Sequence, residues 1–568
     1  MEQKLSHLIH KALLDLYGQN GISFVIEHPK ELSHGDYATN AALVVSKRLG
    51  KNPREVAEEI LAYLGEHKDK DIESFSVAGP GFINISLSRN YFAREIASAM
   101  APDYAHNALH AGKRIMVEYT DPNPFKPFHI GHLMTNAIGE SISRILDASG
   151  VRVIRANYQG DVGPHVAKAI YGLMKKGMPD AHLSVSEQAQ YIGQCYVFGN
   201  AEYELTEGVQ QEIDAINKKV YERSDEEINK IYDWGREVTL QAFEEIYKIL
   251  GTRFDYYFFE SEMAERGTAL VKEFLEKGIF EESDGAIVFH GEKYNPKLHT
   301  RVFITRQGLP TYEAKELGLT FTKFEKEHLD QSIVVTADEQ KDYMAVATEA
   351  VRQMEPEFAE RMKHITHGMM RFASGKMSSR KGNVITGESL LEDAKERTQE
   401  KMQGREMEES AREKIVNQVA VAAIKYAILR QDITGNIIYD PEQSVSFEGD
   451  SGPYLQYTAT RANSVIAKAE SLGIRASIGE TPDAVYEIER VLYRFPEVVT
   501  RAAQELAPHH ITTYITDLAA RFNSFYANEL IANPEDIYAP YKLALTVAVQ
   551  MTLKRGLHLL GIEVPEKM

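Results

Sequence analysis

The segment KPFHIGH, Lys126 to His132, concentrates more potential chemistry than any other stretch of this 568-residue chain. Its two histidines, three residues apart, fall on one side of a first helical turn. There they can donate hydrogen bonds to phosphate oxygens. A helix N-terminus adds free backbone N–H groups and the positive end of the helix dipole. Gly131 lets a ligand approach the backbone closely, and Lys126 places a cation just upstream. The same letters also suit a packed or capping histidine pair. A metal site is the weaker alternative, because no nearby cysteine or third histidine completes a ligand set. On these residues alone, nucleotide binding and a packed pair stand about even.

A second segment, GKMSSRKGN (Gly375–Asn383), sets Lys376, Arg380 and Lys381 among small residues and two glycines. Such cations can close over a polyphosphate. Taken by itself the segment reads better as a solvated basic turn. The pairing changes that reading, since a His-x-Gly-His helix start with a later Lys-Met-Ser segment is a specific signature.

These segments need elements to hold them. KPFHIGH follows a β-rich run, Ile115–Thr120, through the loop DPNPF. It opens an amphipathic helix with Met134, Ile138, Ile142, Ile145 and Leu146 on one face, ending at Gly150. Further β-rich runs are Val151–Ala156, Arg301–Thr305 and Ser332–Ala337. Strand–helix–strand alternation over about Gly112–Ile385 predicts a doubly wound parallel sheet of Rossmann type. The helical, charged stretch at about 178–255 reads as an insertion. Before this core, residues 1–111 suit a small α+β domain. In it Leu43, Val44, Leu49, Val56, Ile60, Leu61 and Leu64 lie on helices broken at Gly50–Pro53, and a Gly-Pro-Gly turn (Gly79–Gly81) joins two strands. Residues 386–568 read as all-helical, with Ile511, Ile515, Leu518, Phe522 and Phe525 sharing a face.

Composition bounds the function. Hydrophobic residues make up 43% and charged residues 26%, which is ordinary for a globular chain. The formal charge of −19 argues against a generally basic nucleic-acid coat, though not against a local basic groove. Neither end is basic: 11 basic and 14 acidic residues fall in Met1–His110, and 11 and 16 in Pro441–Met568. The single cysteine, Cys195, excludes an intramolecular disulfide and paired Cys-x-x-Cys zinc knuckles. It fits a reducing, cytoplasmic compartment. The first residues do not form a signal peptide, and no run of about 18 apolar residues suggests a membrane span.

The paired segments resemble those of class I aminoacyl-tRNA synthetases. The surrounding sequence is similar to the arginyl-tRNA synthetase family nearly throughout. The resemblance is carried by VEYTDPNPFKPFHIGHLMTNAIGESISRIL (Val117–Leu146), HGDYATNAAL (His34–Leu43), AGPGFINISLS (Ala78–Ser88), FEGDSGPYLQYTATR (Phe447–Arg461) and the ending LGIEVPEKM. It implies three domains: an N-terminal tRNA-contacting module (1–111), a Rossmann-like catalytic domain (112–385), and a helical anticodon-binding domain (386–568). It implies ATP, L-arginine and the cognate tRNA as substrates, Mg²⁺ as a helper, a monomer, and adenylate formation that needs bound tRNA.

Residue by residue, the resemblance assigns the arginine pocket to Glu118, Asn123, Tyr312, Glu316 and Gln340. A guanidinium, with five fixed donors, suits two carboxylates. It assigns phosphate binding and transition-state stabilisation to His129 and His132, with Lys126, Lys376, Arg380 and Lys381 neutralising the departing pyrophosphate. Gly131, Gly139 and Glu140 are implied along the adenosine, with backbone contacts to adenine from His367–Met370, including Met369, and further ATP contacts from Met377 and Ser378. Two departures stand out. Residue 316 is Glu where the family leads one to expect Asp, and Ser379 occupies the fourth position of the Lys-Met-Ser segment, where a lysine is expected. Lys126 lies where an upstream lysine compensates in some family members. Tyr454, Tyr457, Tyr514, Phe525 and Tyr526 are anticodon-stacking candidates, although core packing is the simpler reading for each.

Overall fold

A computed structural model describes residues 1–373, 386–404 and 407–568. The chain divides into two compact units. One comprises Met1–Ala105, Thr458–Val498 and Tyr514–Arg555, and the other His106–Tyr457, Val499–Thr513 and Gly556–Met568.

The chain opens with α1 (Glu2–Tyr17), β1 (Ile26–Glu27), β2 (Tyr37–Thr39), α2 (Ala41–Leu49), α3 (Pro53–His67), β3 (Ile72–Ala78), β4 (Phe82–Leu87) and α4 (Arg89–Ala99). The strands form an antiparallel sheet in the order β1-β2-β4-β3. The break between α2 and α3 has a local cause. Gly50 takes φ 65° at the end of α2, and Asn52 caps α3 by accepting from the Arg54 N–H, with Pro53 following. Val56, Ile60 and Leu64 are buried on one face of α3. Asp36 and Tyr37 are tied to helical residues of the same unit. Asp36 accepts from Arg490 Nη1 at 2.5 Å and from the Leu87 N–H at 2.8 Å, and the Tyr37 hydroxyl donates to Glu497 Oε1 at 2.6 Å. In this structure Asp36 and Tyr37 form a buried polar connection, while His34 is exposed.

The other unit holds β5 (Arg114–Glu118), α5 (Ile130–Ala148), β6 (Arg152–Gln159), α6 (Pro164–Lys176), α7 (Val185–Leu205), α8 (Val209–Glu222), α9 (Glu226–Leu250), β7 (Tyr256–Phe259) and α10 (Glu260–Glu276). There follow β8 (Glu281–Ser283), β9 (Ala286–His290), β10 (Thr300–Ile304), α11 (Tyr312–Lys326), β11 (Gln331–Ala337), α12 (Lys341–Met354), α13 (Pro356–Arg361), β12 (Met362–His367) and β13 (Met370–Phe372). Five strands form an all-parallel sheet in the order β12-β11-β5-β6-β7. The central strand β5 buries Ile115, Met116 and Val117 in succession, as a strand covered on both faces must. The expected strands at Ile115–Thr120, Val151–Ala156 and Ser332–Ala337 all lie in this sheet, and α7, α8 and α9 make up the expected helical insertion.

Arg301–Thr305 does not join it. This run forms β10 of a separate antiparallel sheet, β10-β9-β8, pairing Arg301 with Phe289. The connection from β9 contains no crossover helix, and short returns of this kind give antiparallel neighbours.

After α14 (Gly387–Lys401) and α15 (Glu409–Leu429), β14 (Ile437–Tyr439) pairs in parallel with β13. Helices α16 (Pro441–Ser444), α17 (Gly452–Ser471), α18 (Glu487–Leu492), α19 (Phe495–Glu505), α20 (His509–Asn528) and α21 (Ala539–Leu559) complete the chain. The five apolar residues predicted to share a face of α20 are all buried. Tyr514 stacks on Phe495, and its hydroxyl donates to the Leu492 carbonyl. Phe525 packs edge-on against Tyr486. Both are core residues, whereas Tyr526 is exposed, with the Arg461 guanidinium over its ring. No helix among the described residues is long and apolar enough to cross a membrane.

Candidate active site

The β5–α5 connection is built under strain. Thr120, Asp121 and Phe125 adopt φ of 83°, 47° and 67°, a region L-residues seldom occupy. Side chains over-determine it. Asn136 Nδ2 donates to Thr120 Oγ1 at 2.9 Å, and Asp121 Oδ1 accepts the Tyr158 N–H at 2.8 Å. The result fixes Asp121 and Asn123 beyond the carboxyl end of the central strand, the usual ligand position in such sheets.

His129 is the N-cap of α5 and His132 its third residue, as the sequence predicts. Their rings stack at 3.5 Å between centroids. The His129 N–H donates to His132 Nδ1 at 3.2 Å, so His132 carries its proton on Nε2 and can donate from there. Desolvation, then Lys126, pushes His129 down to about 4. Desolvation, then His129 and Lys126, holds His132 well below the ordinary imidazole range. Both are therefore neutral donors at neutral pH. A Cβ at Gly131 would meet the His129 ring at 2.9 Å, so this turn requires glycine. Lys126 lies with its Nζ over the Tyr196 ring at 5.4 Å.

Lys376, Met377, Ser378, Ser379, Arg380 and Lys381 lie outside the described residues. The residues just after them reach the histidine turn. Thr386 bridges His129, and the Gly387 N–H donates to the Phe128 carbonyl at 2.7 Å.

The second feature is an acid-rich buried cluster drawn from the ends of β5 and β6 and from α10, α11 and α12, the candidate amino-acid pocket. Glu118, at the end of β5, is buried, and its Oε2 lies 2.5 Å from Lys323 Nζ. Glu316, on α11, is also buried, and its Oε1 has no partner among the described residues. Burial, together with Glu118 and Glu260 and against the pull of Lys323, raises Glu316 to about 7. Desolvation, then Glu118, holds Asp121 well above the usual carboxylate range. Glu260 pairs with Lys315 at 2.5 Å. The Tyr158 hydroxyl is buried without a partner among the described residues, and it and Tyr343 feel Glu118, Glu260 and Glu316. Four carboxylates thus face two lysines, with one carboxylate oxygen and one hydroxyl left unpartnered. A buried set of this kind suits a cationic ligand with several donors.

Of the other residues implied for the pocket, Asn123 is brought to it. Asn123 Oδ1 lies so close to Gly160 that a Cβ there would sit 2.2 Å from it and 3.1 Å from Glu260 Oε1. Tyr312 opens α11, 57% exposed, with Lys315 Nζ over its ring at 4.6 Å. Gln340 is exposed just beyond β11. Asp121, Tyr158, Glu260, Lys315, Lys323 and Tyr343 were not singled out from sequence. The one available signal was spacing, since Glu316 and Lys323 are seven apart and share a face of α11.

The residues implied for the adenosine already have partners within the fold. Gly139 and Glu140 lie well along α5. Glu140 accepts from Arg144 at 2.7 Å, Arg155 at 3.3 Å and the Tyr119 hydroxyl at 2.5 Å, so the structure brings it to two arginines and not to the histidines. A Cβ at Gly139 would meet the Tyr119 ring at 2.2 Å. Gly139→Ala is therefore expected to cost about 1–3 kcal/mol by overpacking, outweighing the roughly 0.5–1 kcal/mol by which Ala is favoured in helices. Thermal denaturation of the variant checks this. His367 ends β12, with Nδ1 2.7 Å from the Gly368 carbonyl and Nε2 buried without a described partner. The Gly368 and Met369 N–H groups donate to the Ile433 carbonyl and Asn436 Oδ1, and the Met369 carbonyl accepts from Ile437, the partner of Met370. Those backbone groups are already engaged.

A parallel sheet with a His-x-Gly-His turn opening the helix after its central strand is the arrangement of class I aminoacyl-tRNA synthetases. A methionyl-tRNA synthetase from Mycobacterium tuberculosis shares the fold at a TM-score of 0.53 over 80% of this chain and 92% of its own, at 14% identity. The family described as tRNA synthetases class I (R), catalytic domain, matches residues 95–441; the arginyl-tRNA synthetase N-terminal domain matches 3–87, and the DALR anticodon-binding domain 455–568. The chain belongs to the arginyl-tRNA synthetase family. It is 31% identical to the arginine–tRNA ligase of Lactobacillus johnsonii over 96% of both chains, and 30% identical to that of Lactococcus lactis subsp. lactis over the full length of both. The arginyl-tRNA synthetase of Thermus thermophilus superposes at a TM-score of 0.82 with 25% identity, both chains fully covered.

Proposed function

We propose that the histidine turn and the acid-rich pocket divide the work of this arginine–tRNA ligase between phosphate chemistry and amino-acid recognition. The chain is a class I aminoacyl-tRNA synthetase, which activates arginine with ATP and transfers it to tRNA. In the first step the arginine carboxylate attacks the α-phosphorus of ATP in line, forming arginyl-adenylate and releasing pyrophosphate. In the second, the terminal ribose hydroxyl of tRNA attacks the activated carbonyl and AMP leaves. Neither step requires a covalent enzyme intermediate, so positioning and charge stabilisation supply the catalysis.

In this reading His132, donating from Nε2, and His129 hold phosphate oxygens as charge builds on them. Lys126 neutralises the leaving group, with Lys376, Arg380 and Lys381 as further cations. Glu118 and Glu316 receive the guanidinium, Tyr312 packs on the substrate's methylene stem, and Asn123 and Gln340 hold its α-amino and carboxylate end. Among the described residues no group of three or more acidic, histidine or cysteine side chains converges to hold a metal. The described residues thus provide no cage for Mg²⁺, which we place on the ATP phosphates, its usual partners, and no step is assigned to it. We further propose that one chain suffices and acts in the cytoplasm. Sedimentation at working concentration checks the first, and localisation of a tagged chain the second.

The observation that carries this reading is the buried, incompletely partnered carboxylate Glu316 beside Glu118. Exchange of pyrophosphate into ATP, with and without tRNA, across the amino acids tests it. Arginine alone should support exchange; exchange with another amino acid would sink the assignment. A pH dependence follows from Glu316. Its carboxyl, raised to about 7 in the empty site, must be ionised to pair with arginine, so binding releases a proton below that value. The arginine KM should therefore rise as pH falls below 7, approaching tenfold per unit, and level off above it. A flat profile from pH 6 to 8 would contradict the assignment.

A further inference from the structure

Lys323 is buried on α11, and its ammonium lies 2.5 Å from Glu118 Oε2, which is itself buried. Both groups are out of water, so releasing either one would leave a buried charge uncompensated. The pair is therefore fixed and is not a surface cation that steps aside. Lys323 is the one described ionic partner of Glu118, through Oε2, and the buried Glu316 Oε1 has no described partner. Asp121 from the β5–α5 connection, Tyr158 from β6 and Tyr343 from α12 face Glu118, while Glu316 feels Glu118, Lys323 and Glu260 of α10, and Lys315 of α11 pairs with Glu260. Of the two lysines, Lys315 is held by Glu260, which leaves Lys323 as the cation paired with Glu118.

We propose that Lys323 is a positioning residue for arginine recognition. By holding Oε2 of Glu118 it leaves one oxygen on Glu118 and one on Glu316, so the guanidinium bridges two carboxylates instead of forking onto either. This rests on the reading of Glu118 and Glu316 as the arginine pocket. A planar guanidinium has donors spread widely enough to span two acceptors, whereas the donors of a lysine ammonium radiate from one atom. The bridge therefore also selects against lysine. Glu316 is then the carboxyl that gives up a proton on binding.

Two measurements test this. In a structure of the full chain with arginine, Lys323 Nζ should remain within about 3 Å of Glu118 Oε2, and guanidinium nitrogens should meet Oε1 of Glu118 and of Glu316. A complex with Lys323 displaced and both Glu118 oxygens forked onto the guanidinium overturns the proposal while sparing the pocket. A guanidinium bound away from both carboxylates overturns the pocket itself, so the two failures are told apart. In solution, Lys323→Met keeps the volume and removes the charge. Its arginine KM should rise on the order of 100-fold with the ATP KM unchanged. The pH below which that KM rises should also move upward, because Lys323 no longer pulls Glu316 down. A folded variant with an arginine KM within about threefold of the unaltered enzyme and an unmoved pH profile contradicts the proposal. If the variant does not fold, the arginine complex of the unaltered chain decides.

Discussion

Replacing His132 by alanine is expected to slow arginine activation by about 10²–10³-fold, or about 2.7–4 kcal/mol of transition-state stabilisation. The arginine KM should stay almost unchanged. The magnitude follows from the protonation state. Desolvation and two neighbouring bases keep His132 neutral, and its Nδ1 is occupied by the His129 N–H. Its remaining N–H is thus a preorganised donor that needs no reorganisation when charge develops on the phosphate. Alanine removes that donor, and water cannot restore it at the same geometry. The structural cost is smaller, about 1 kcal/mol for a lost capping contact, because Phe128 and the Thr386 bridge still hold the start of α5. Arginine-dependent pyrophosphate exchange in the presence of tRNA, set beside a thermal melt, separates the two effects. Unaltered turnover would refute the role given to His132.

Glu316→Gln should act on the other half of the reaction. The substitution keeps size and shape but replaces the unpartnered carboxylate oxygen with a neutral amide. The arginine KM should rise by about 10²–10³-fold, the loss of a buried charge-assisted pair worth roughly 3–4 kcal/mol. Stability should hold or improve, because a carboxyl that burial pushes up to about 7 is unfavourably placed in the empty protein. The ATP KM should not move. An enzyme that binds arginine normally after this change would show that the guanidinium is held elsewhere. Glu118→Gln is a poorer probe, since it also strands the buried ammonium of Lys323.

The contrast between these two sites explains what could be read from sequence. The histidine turn is local. Seven consecutive residues contain the cap, the glycine, the donors and the helix start, so phosphate binding could be read from them once the Lys-Met-Ser segment was set beside them. The acid pocket is assembled from residues between 118 and 343, and nothing in their spacing announces it. Glu118, Asn123, Tyr312, Glu316 and Gln340 were reached through family resemblance. Lys323 and Tyr158 were not reached, because their significance lies in what they face across the sheet. Arg301–Thr305 has the composition of a strand, but composition does not name the partner, and a short return from β9 placed it in a second sheet. Glu140 was assigned to adenosine from its position in a motif. In the fold it pairs with Arg144, one turn further along α5, and with Arg155 from the neighbouring strand.

The central claim is that Glu316 and Glu118 recognise the positive charge of the side chain. A thermodynamic cycle tests this most directly. Binding of arginine and of citrulline, its neutral analogue of nearly the same shape, is measured by calorimetry or competition for the unaltered enzyme and for Glu316→Gln. The account predicts that the unaltered enzyme prefers arginine by a factor on the order of 10³ or more. It also predicts that the substitution weakens arginine binding about 100-fold or more while leaving citrulline binding the same or tighter. An equal loss for both ligands would contradict it, because the carboxylate would then be shaping the pocket without reading the charge.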